Sequence, residues 1–540
     1  MSIFTRRKAL QAMGLMMGAA AVGCGKPEEE EVEAGEDALN VCIGRMDRNV
    51  RELGGAQQLH KYEKFVVLVM ENRSFDHYFG HLSMPRSKGG EGRGKWDGRT
   101  PDPEGKLVDG LTGDEFNPDL NGNKVGVWMP TDQELGDIDH EWEGCHQQWN
   151  AGKNDGFITN HERDLLRLND NDASTKALCW GTKGNDGQPK CGDLKDPMAI
   201  YTRKDTKIFH SLVDNYTLCD RWFASVMGPT WPNRFYLNGA TAHGHKSNKP
   251  AWGQGENTIW GVLRKRCISS RCYYADVPWI DGAYPGGVIG RTINTARVFD
   301  NQPLAPVRGF VPEFVRQALD YDTFETACRE GTLPSVSFID PGFSSIPNDD
   351  HPPHDIQAGQ TLVAAIYKML SQNEEQWKKT LFIITYDEHG SFYDHVAPPV
   401  VREDTRADFR QLGFRVPALV IGPYVKKNYV SHVQYDHVSP ISTLTRRFNL
   451  DTLNDRVRTA NDLRDCIDFD ALERSVPEPV VLPRTVVSQS HALDTIMESP
   501  GQAELMNRVL GGVPGKEHKR IATNAFLEAC ERLGVVEIRR

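Results

Sequence analysis

Two stretches of the chain set acids directly behind short apolar runs. In KFVVLVMENRSFDHYFG, residues 64–80, six apolar residues lead into Glu71 and Asn72; in TLFIITYDEHG, residues 380–390, a similar run leads into Asp387 and Glu388. Such runs, without polar alternation, read as strands buried on both faces. If the two strands lie parallel in one sheet, the four oxygen-bearing side chains converge at one edge. Three carboxylates held together raise one another's pKa unless a cation sits among them. Ligation by oxygen suits one hard divalent ion, calcium, magnesium or manganese, with zinc also admissible. The competing role for either acid is to cap a helix after its strand. A second ligand adjacent to each acid favours the metal.

Histidines gather in loops rich in acids and proline: His140 and His146 in DIDHEWEGCHQQWNAGKNDGF, His351 and His354 in NDDHPPHDI, His389 and His395 in YDEHGSFYDHV. Such loops lie on the surface or line a cleft. Imidazoles beside a metal can bind phosphate oxygens and protonate a leaving group. Any single one can be a bystander, His389 and His395 as readily as not, and Asp436 and His437 in YDHVSP can simply start the next helix. A nucleophile is available in SVMGPTWPNRFYLNGATAHG, where Thr230 follows Gly228 and Pro229 and opens a helical segment. Its hydroxyl would sit at a helix N-terminus, which favours the negative charge of a phosphoryl group. A metal ion would activate it without a neighbouring histidine. Alternatively, Thr230 is only an N-cap. No GxSxG elbow, P-loop or Rossmann glycine fingerprint occurs, which argues against a lipase-type serine hydrolase, an ATPase or a dehydrogenase.

Two further apolar runs, SVSFID ending at Asp340 and VPALVIGPYV, have the same buried-strand character. Residues 358–379 place Leu362, Ile366 and Met369 or Leu370 on one helical stripe, just before the strand at Thr380. The expected fold is α/β, a largely parallel central sheet flanked by helices, with ligands at the carboxyl ends of the strands. Residues 267–306, dense in Gly, Pro and aromatics, are expected to leave the sheet as a lid or cleft wall, an insertion near 260–310. The main domain is expected over 61–475, followed by a mostly helical extension, 476–540, packed on it.

The formal charge of −11 over 540 residues argues against a general affinity for nucleic acid or anionic lipid. Residues 1–24, with Arg6, Arg7 and Lys8 before a short apolar region, resemble a twin-arginine export signal, which implies folded export to the periplasm, the outer surface or the medium. Cys24 sits in a lipoprotein-like cleavage box, so lipidation there and simple release are both open. An acidic tether and lead-in follow over 25–60. Of eleven cysteines, Cys179 with Cys191 and Cys267 with Cys272 are near enough in sequence to suspect as disulfides in an exported protein. No CxxC or zinc-finger spacing supports a thiolate metal site.

Taken together, VVLVMENRSFDHYFG, GPTWPNRFYLNGATAHG, DDHPPHD and TYDEHGSFYDHVAPP resemble the phosphoesterase family of bacterial non-haemolytic phospholipases C and secreted acid phosphatases, in the alkaline-phosphatase-like superfamily. The resemblance runs from residue 64 to about 450. It implies that Glu71, Asn72, Asp387 and Glu388 hold one divalent metal, that Thr230 accepts the phosphoryl group, and that His140 and His351, with His354 beside it, bind phosphate or handle protons. Thr230 and YDEHG look more like the phospholipase C branch; the acid phosphatases tend to use Ser and paired aspartates. The implied substrate is a phospholipid, with contact at a membrane surface, or a small phosphoester. Trp222, Trp231, Tyr273, Tyr274 and Trp279 could wall the substrate site or belong to the core. A monoesterase and a non-catalytic surface binding protein remain alternatives.

Overall fold

A computed structural model describes residues 56–540 except 132, 170–178, 181–189, 250–256, 284–294, 303–322, 403, 405, 474–477, 497–499 and 510–511. The export segment, Cys24 and most of the 25–60 lead-in lie outside the described residues. The central sheet contains β1 (Lys64–Met70), β2 (Thr217–Cys219), β3 (Ser270–Tyr274), β4 (Thr295–Arg297), β5 (Val336–Asp340), β6 (Thr380–Tyr386), β7 (Ala418–Ile421) and β8 (Tyr429–Ser431). Their order across the sheet is β8-β2-β7-β6-β1-β5-β3-β4. β6, β1, β5, β3 and β4 form a parallel block, and β7 runs against both its neighbours. The expected α/β architecture is present, as a mixed, mostly parallel sheet flanked by helices.

Every residue of β6 and all but the first of β1 are buried, as a parallel sheet covered on both faces requires. Full burial of a Val, Ile or Phe side chain contributes about 1.5–3 kcal/mol, so these two strands are a stiff base for the polar residues that follow them. The flanking helices used below are α1 (Phe75–Phe79), α2 (Trp142–Trp149), α3 (Thr230–Gly239), α4 (Trp279–Ala283), α5 (Ile356–Ser371), α6 (Pro500–Val509) and α7 (Lys516–Arg532). In α5 the expected stripe of Leu362, Ile366, Met369 and Leu370 is fully buried, and so is nearly every other position. The C-terminal extension explains this: β9 (Thr485–Ser488) pairs in parallel with β10 (Val536–Arg539), and Thr485 hydrogen-bonds the Thr361 hydroxyl of α5 at 2.6 Å.

Two expectations need correction. Residues 267–306 do not leave the sheet as a whole, because β3 pairs with β5 and β4 pairs with β3 in parallel register. These strands are short and Tyr- or Arg-containing, between Gly- and Pro-rich segments that mask their pattern. Cys272 keeps a buried thiol, its Sγ 3.5 Å from Asp340 Oδ2, whereas Cys267 is disulfide-bonded, so these two do not pair. Cys179 and Cys191 are register partners in a short ribbon. Cys219 Sγ and Cys466 Sγ lie 3.9 Å apart across 247 residues of sequence.

The loop after β1 is braced by its own charged residues. Arg73 Nε donates to Asp350 O at 2.8 Å, and Phe75 and Phe79 are buried in the core. Asp76 takes Arg415 Nη2 at 3.0 Å and His395 Nδ1 at 2.6 Å, and His395 Nε2 faces Asp109 Oδ1 at 3.2 Å. Burial opposes the charged His395 ring, and so does Arg415, 3.3 Å from Nδ1, but Asp76 and Asp109 override them and push its pKa up to about 9; the Lys95 ammonium lies 2.9 Å from Nε2. A raised histidine pKa stabilises fully below the unfolded value near 6.5 and loses that contribution as pH rises through 9. Urea midpoints are therefore expected to fall by the equivalent of about 3 kcal/mol between pH 6 and 9.5, and His395→Gln is expected to flatten that slope. An unchanged slope in the variant would remove His395 from the account.

Candidate active site

The register that pairs Met70 with Tyr386 sets Glu71 beside Asp387 at the carboxyl edge of the sheet. Asn72 adopts a φ of 60°, a left-handed conformation that Asn tolerates better than most residues, and its N–H donates to Asp387 Oδ1 at 3.0 Å. A Cβ on Gly390 would lie 2.1 Å from Asn72 O; glycine lets the two loops close on each other. Glu71, Asn72, Asp387 and Glu388 thus meet at one edge, as expected, and are all buried. Asp340, the last residue of β5, lies at the same edge; the strand-then-acid rule that found the others applies to it equally.

Thr230 opens α3, whose cap residue Pro229 offers no side-chain hydrogen bond. Thr230 Oγ donates to Asn72 Oδ1 at 3.5 Å, which brings the nucleophile candidate to the metal-ligand candidates. One turn along the same helix face, Arg234 is buried among carboxylates: 2.6 Å from Glu71 Oε1, 3.3 Å from Asp340 Oδ1 and 3.7 Å from Asp387 Oδ2. The all-oxygen picture is amended here. Glu71 already has a cationic partner from the protein, which sequence reading missed because the two residues are 163 positions apart.

The remaining donors fit a divalent ion. Among the described residues, the buried oxygens Asp387 Oδ2 and Glu388 Oε1 have no hydrogen-bond partner, and with Asn72 Oδ1 they offer hard ligands beside a hydroxyl. Burial drives the Glu71 pKa well above its ordinary value, with the Asp387 charge adding and Arg234 opposing. Burial likewise pushes Glu388 up to about 8, against the pull of His140. An excess of buried negative charge holds protons until a cation enters.

His140 lies on this cluster. Its Nδ1 donates to Ile138 O at 2.8 Å, and Nε2 faces Asn72 Nδ2 at 3.3 Å and Glu388 Oε1 at 3.9 Å. Burial disfavours its charge, but Glu388 and Asp137 outweigh burial and lift its pKa to about 10. Asp137 is a further residue that sequence reading passed over; its Oδ1 is 3.5 Å from His140 Nδ1 and 4.0 Å from His351 Nε2. Burial raises Asp137 to about 7, with His140 opposing. His351 donates from Nδ1 to Pro352 O at 2.6 Å, and burial plus the His140 charge hold its pKa well below the usual range. The site thus pairs a proton-holding His140 with a neutral His351.

Asp137, His140 and His351 are themselves close enough to ligate a metal. A second donor set, Asn72, Asp387 and Glu388, lies beside them: among the described residues Asp387 Oδ2 and Glu388 Oε1 accept no hydrogen bond, with Arg234 3.7 Å from the first and His140 3.9 Å from the second. Two other donor groups, His81–Glu91–His210 and Asp76–Asp394–His395, are neutralised by Arg203 at 2.8 Å from Glu91 and Arg415 at 2.8 Å from Asp394.

The other histidines separate cleanly. His354 is fully buried with Nδ1 2.5 Å from Asp349 Oδ1 and its ring 6.1 Å from that of His351, close enough to oppose the upward shift of Asp137. His389 is held by Gln148 at 2.8 Å, and His437 Nε2 donates to Asp387 O at 2.6 Å, bracing a ligand from behind. His146 stacks on Trp142. A small cavity of about 10 Å³ opens at Thr230 and Glu71, walled by Trp231, Asn248, Trp279, Phe343, Gln502 and Leu505. Trp231 and Trp279 therefore line the site, while Trp222 and Tyr273 belong to the core.

The Phosphoesterase family model matches residues 62–451. The chain is 30% identical over 434 residues to non-specific phospholipase C1 of Arabidopsis thaliana, covering 74% of this chain and 70% of that protein. It is 28% identical to phospholipase C B of Mycobacterium tuberculosis over 453 residues, 76% of this chain and 78% of that one. Among solved structures, a protein in the alkaline phosphatase superfamily from Vibrio parahaemolyticus aligns over 48% of this chain and 64% of its own at 12% identity; its TM-score of 0.30 carries no argument.

Proposed function

The chain belongs to the Phosphoesterase family, and from that premise we propose that it is a phospholipase C that cleaves phosphatidylcholine-like diesters through a phosphothreonine at Thr230. The observation that carries this reading is the Thr230 hydroxyl at the start of α3, 3.5 Å from Oδ1 of Asn72, whose N–H in turn meets Asp387 Oδ1 at 3.0 Å. The phospholipase names of the similar proteins support the diester substrate.

A divalent ion held by Asn72, Asp387 and Glu388 supplies, when bound, the positive charge that acidifies the Thr230 hydroxyl and offsets phosphate charge. The chain does the rest. Thr230 Oγ attacks phosphorus, a Thr–O–P bond forms, and the bond to the leaving alcohol breaks. The protein's N–H groups at the α3 N-terminus face the charge on the phosphoryl oxygens. His140 Nε2 gives its proton to the departing alkoxide and then takes one from the water that cleaves the phosphothreonine, which restores Thr230 and releases the phosphorylated headgroup. Arg234 holds Glu71 and Asp387 in place throughout.

The narrow cavity favours a second reading, a monoesterase on the same scaffold. Rates on phosphatidylcholine vesicles, a bis-aryl phosphate, an aryl phosphate and an aryl sulfate separate the two. Phosphocholine release and at least a tenfold preference for diester over monoester, about 1.4 kcal/mol, are expected; a reversed preference supports the monoesterase, and turnover of none sinks both.

Export is part of the proposal. No helix among the described residues is long and apolar enough to cross a membrane. Replacing Arg6 and Arg7 together by Lys is expected to keep the uncleaved protein in the cytoplasm of a host with an active twin-arginine pathway, where the parent chain is exported. Export of the variant at the parent level would remove the signal assignment.

A further inference from the structure

We propose that the C-terminal helix α6 supplies the wall that gauges ester size at Thr230, with Leu505 as the gauge. This rests on the phosphoester-hydrolase reading of the same site and adds a specificity determinant from outside residues 62–451, the family-matched region. Gln502 and Leu505 line the cavity that Thr230 and Glu71 open into, and Leu505 is 2% exposed. Leu505 is seated by design of the opposite wall: a Cβ on Gly282 of α4 would lie 2.4 Å from Leu505 Cδ1, so the absence of a side chain at 282 admits it. Behind it Trp231 and Trp279 pack at 4.9 Å between ring centroids, a backstop that cannot recede without moving the core.

A polar latch sets the position of the helix. Gln502 Nε2 donates to Asp349 Oδ2 at 3.0 Å. The same aspartate accepts His351 N at 3.1 Å and faces His354 Nδ1 at 2.5 Å, while its carbonyl accepts Glu71 N at 2.8 Å. The wall is thus tied to the loop that carries His351. At about 10 Å³ the cavity holds no more than a water molecule, so any ester that enters must displace part of a wall, and Leu505 is one of those walls. Leu505 is the wall residue that can be shortened without touching the reacting groups. A compact substituent on phosphorus passes this gauge, and a bulky one meets Leu505.

The test uses the full chain and diesters that share a p-nitrophenolate leaving group and differ only in the other substituent, methyl or naphthyl. Leu505→Ala is expected to raise kcat/KM for the naphthyl diester about tenfold relative to the methyl diester, the scale of a methylene-sized change in an apolar pocket. Leu505→Trp is expected to shift the ratio the other way. Leu505→Val, a smaller change, keeps the test open if Leu505→Ala does not fold, and Phe526→Leu on α7 controls for loosening of the extension away from the cavity. In parallel, calorimetric affinities of methylphosphonate and naphthylphosphonate read the gauge without turnover. The same ratio shift in binding, in a chain that hydrolyses neither diester, upholds the gauge and defeats the hydrolase reading. Ratios unchanged within twofold in folded Leu505 variants, or moved equally by Phe526→Leu, overturn the gauge and leave the hydrolase reading standing.

Discussion

Thr230→Ala is expected to lower kcat on phosphodiesters by roughly 10⁴-fold, about 5 kcal/mol, with folding retained. The size follows from the role: removing a covalent nucleophile leaves only binding and electrostatic assistance. Folding is expected to survive because Thr230 Oγ makes a long 3.5 Å contact with Asn72, and losing one such bond costs about 1 kcal/mol. Thr230→Ser keeps an oxygen at the helix start and is expected to retain activity within about tenfold of the parent, by the same comparison of residual rates. Rapid acid quench of the parent chain should trap a phosphoryl adduct on the peptide containing residue 230, absent from the Ala variant. Full activity in Thr230→Ala would eliminate the nucleophile and the two-step mechanism together.

The second large effect separates activity from stability. Joint replacement Asp387→Asn and Glu388→Gln is expected to reduce turnover by at least about 10³-fold, the scale seen when charge-stabilising groups are removed, while the metal-free variant is no less stable than the metal-free parent. The sign comes from burial: Glu388 is pushed up to about 8 chiefly by desolvation, with Asp387 adding to it. Neutral amides remove that penalty. Metal should then stabilise only the parent. At an ion concentration a hundred times its Kd, the gain is about 2.7 kcal/mol, visible as a raised melting temperature in calcium, manganese or zinc. Loss of metal-free stability, with equal metal response in both proteins, would show these carboxylates to be structural.

What was legible in the sequence was whatever depends on neighbours along the chain. The runs before Glu71 and Asp387 announce strands, and the acids behind them announce the sheet edge, so the convergence of four residues follows once the strands are parallel. Thr230 at a helix start was equally local. The partners of Arg234 were not, since Glu71 and Asp340 are 163 and 106 positions away and nothing in TWPNR says which acids the arginine will meet. The short strands β3 and β4 were hidden because Tyr, Arg and flanking Gly and Pro break the apolar run that signals a strand. The extension carries helices α6 and α7 beside the β9–β10 pair, and the docking of Gln502 on Asp349, 153 residues upstream, depends on shape that no local pattern carries. The pairing of His354 with Asp349, five positions back, is by contrast local and lies within the single motif DDHPPHD.

The most direct test of the site is anomalous diffraction from crystals of the purified exported chain, at the absorption edge of whichever metal elemental analysis finds. One peak per chain is expected, beside Thr230 Oγ and within about 2.0–2.6 Å of oxygens from Asn72, Asp387 and Glu388. A chain that hydrolyses phosphoesters at full rate after chelation, with no peak at that edge of the sheet, would contradict the account.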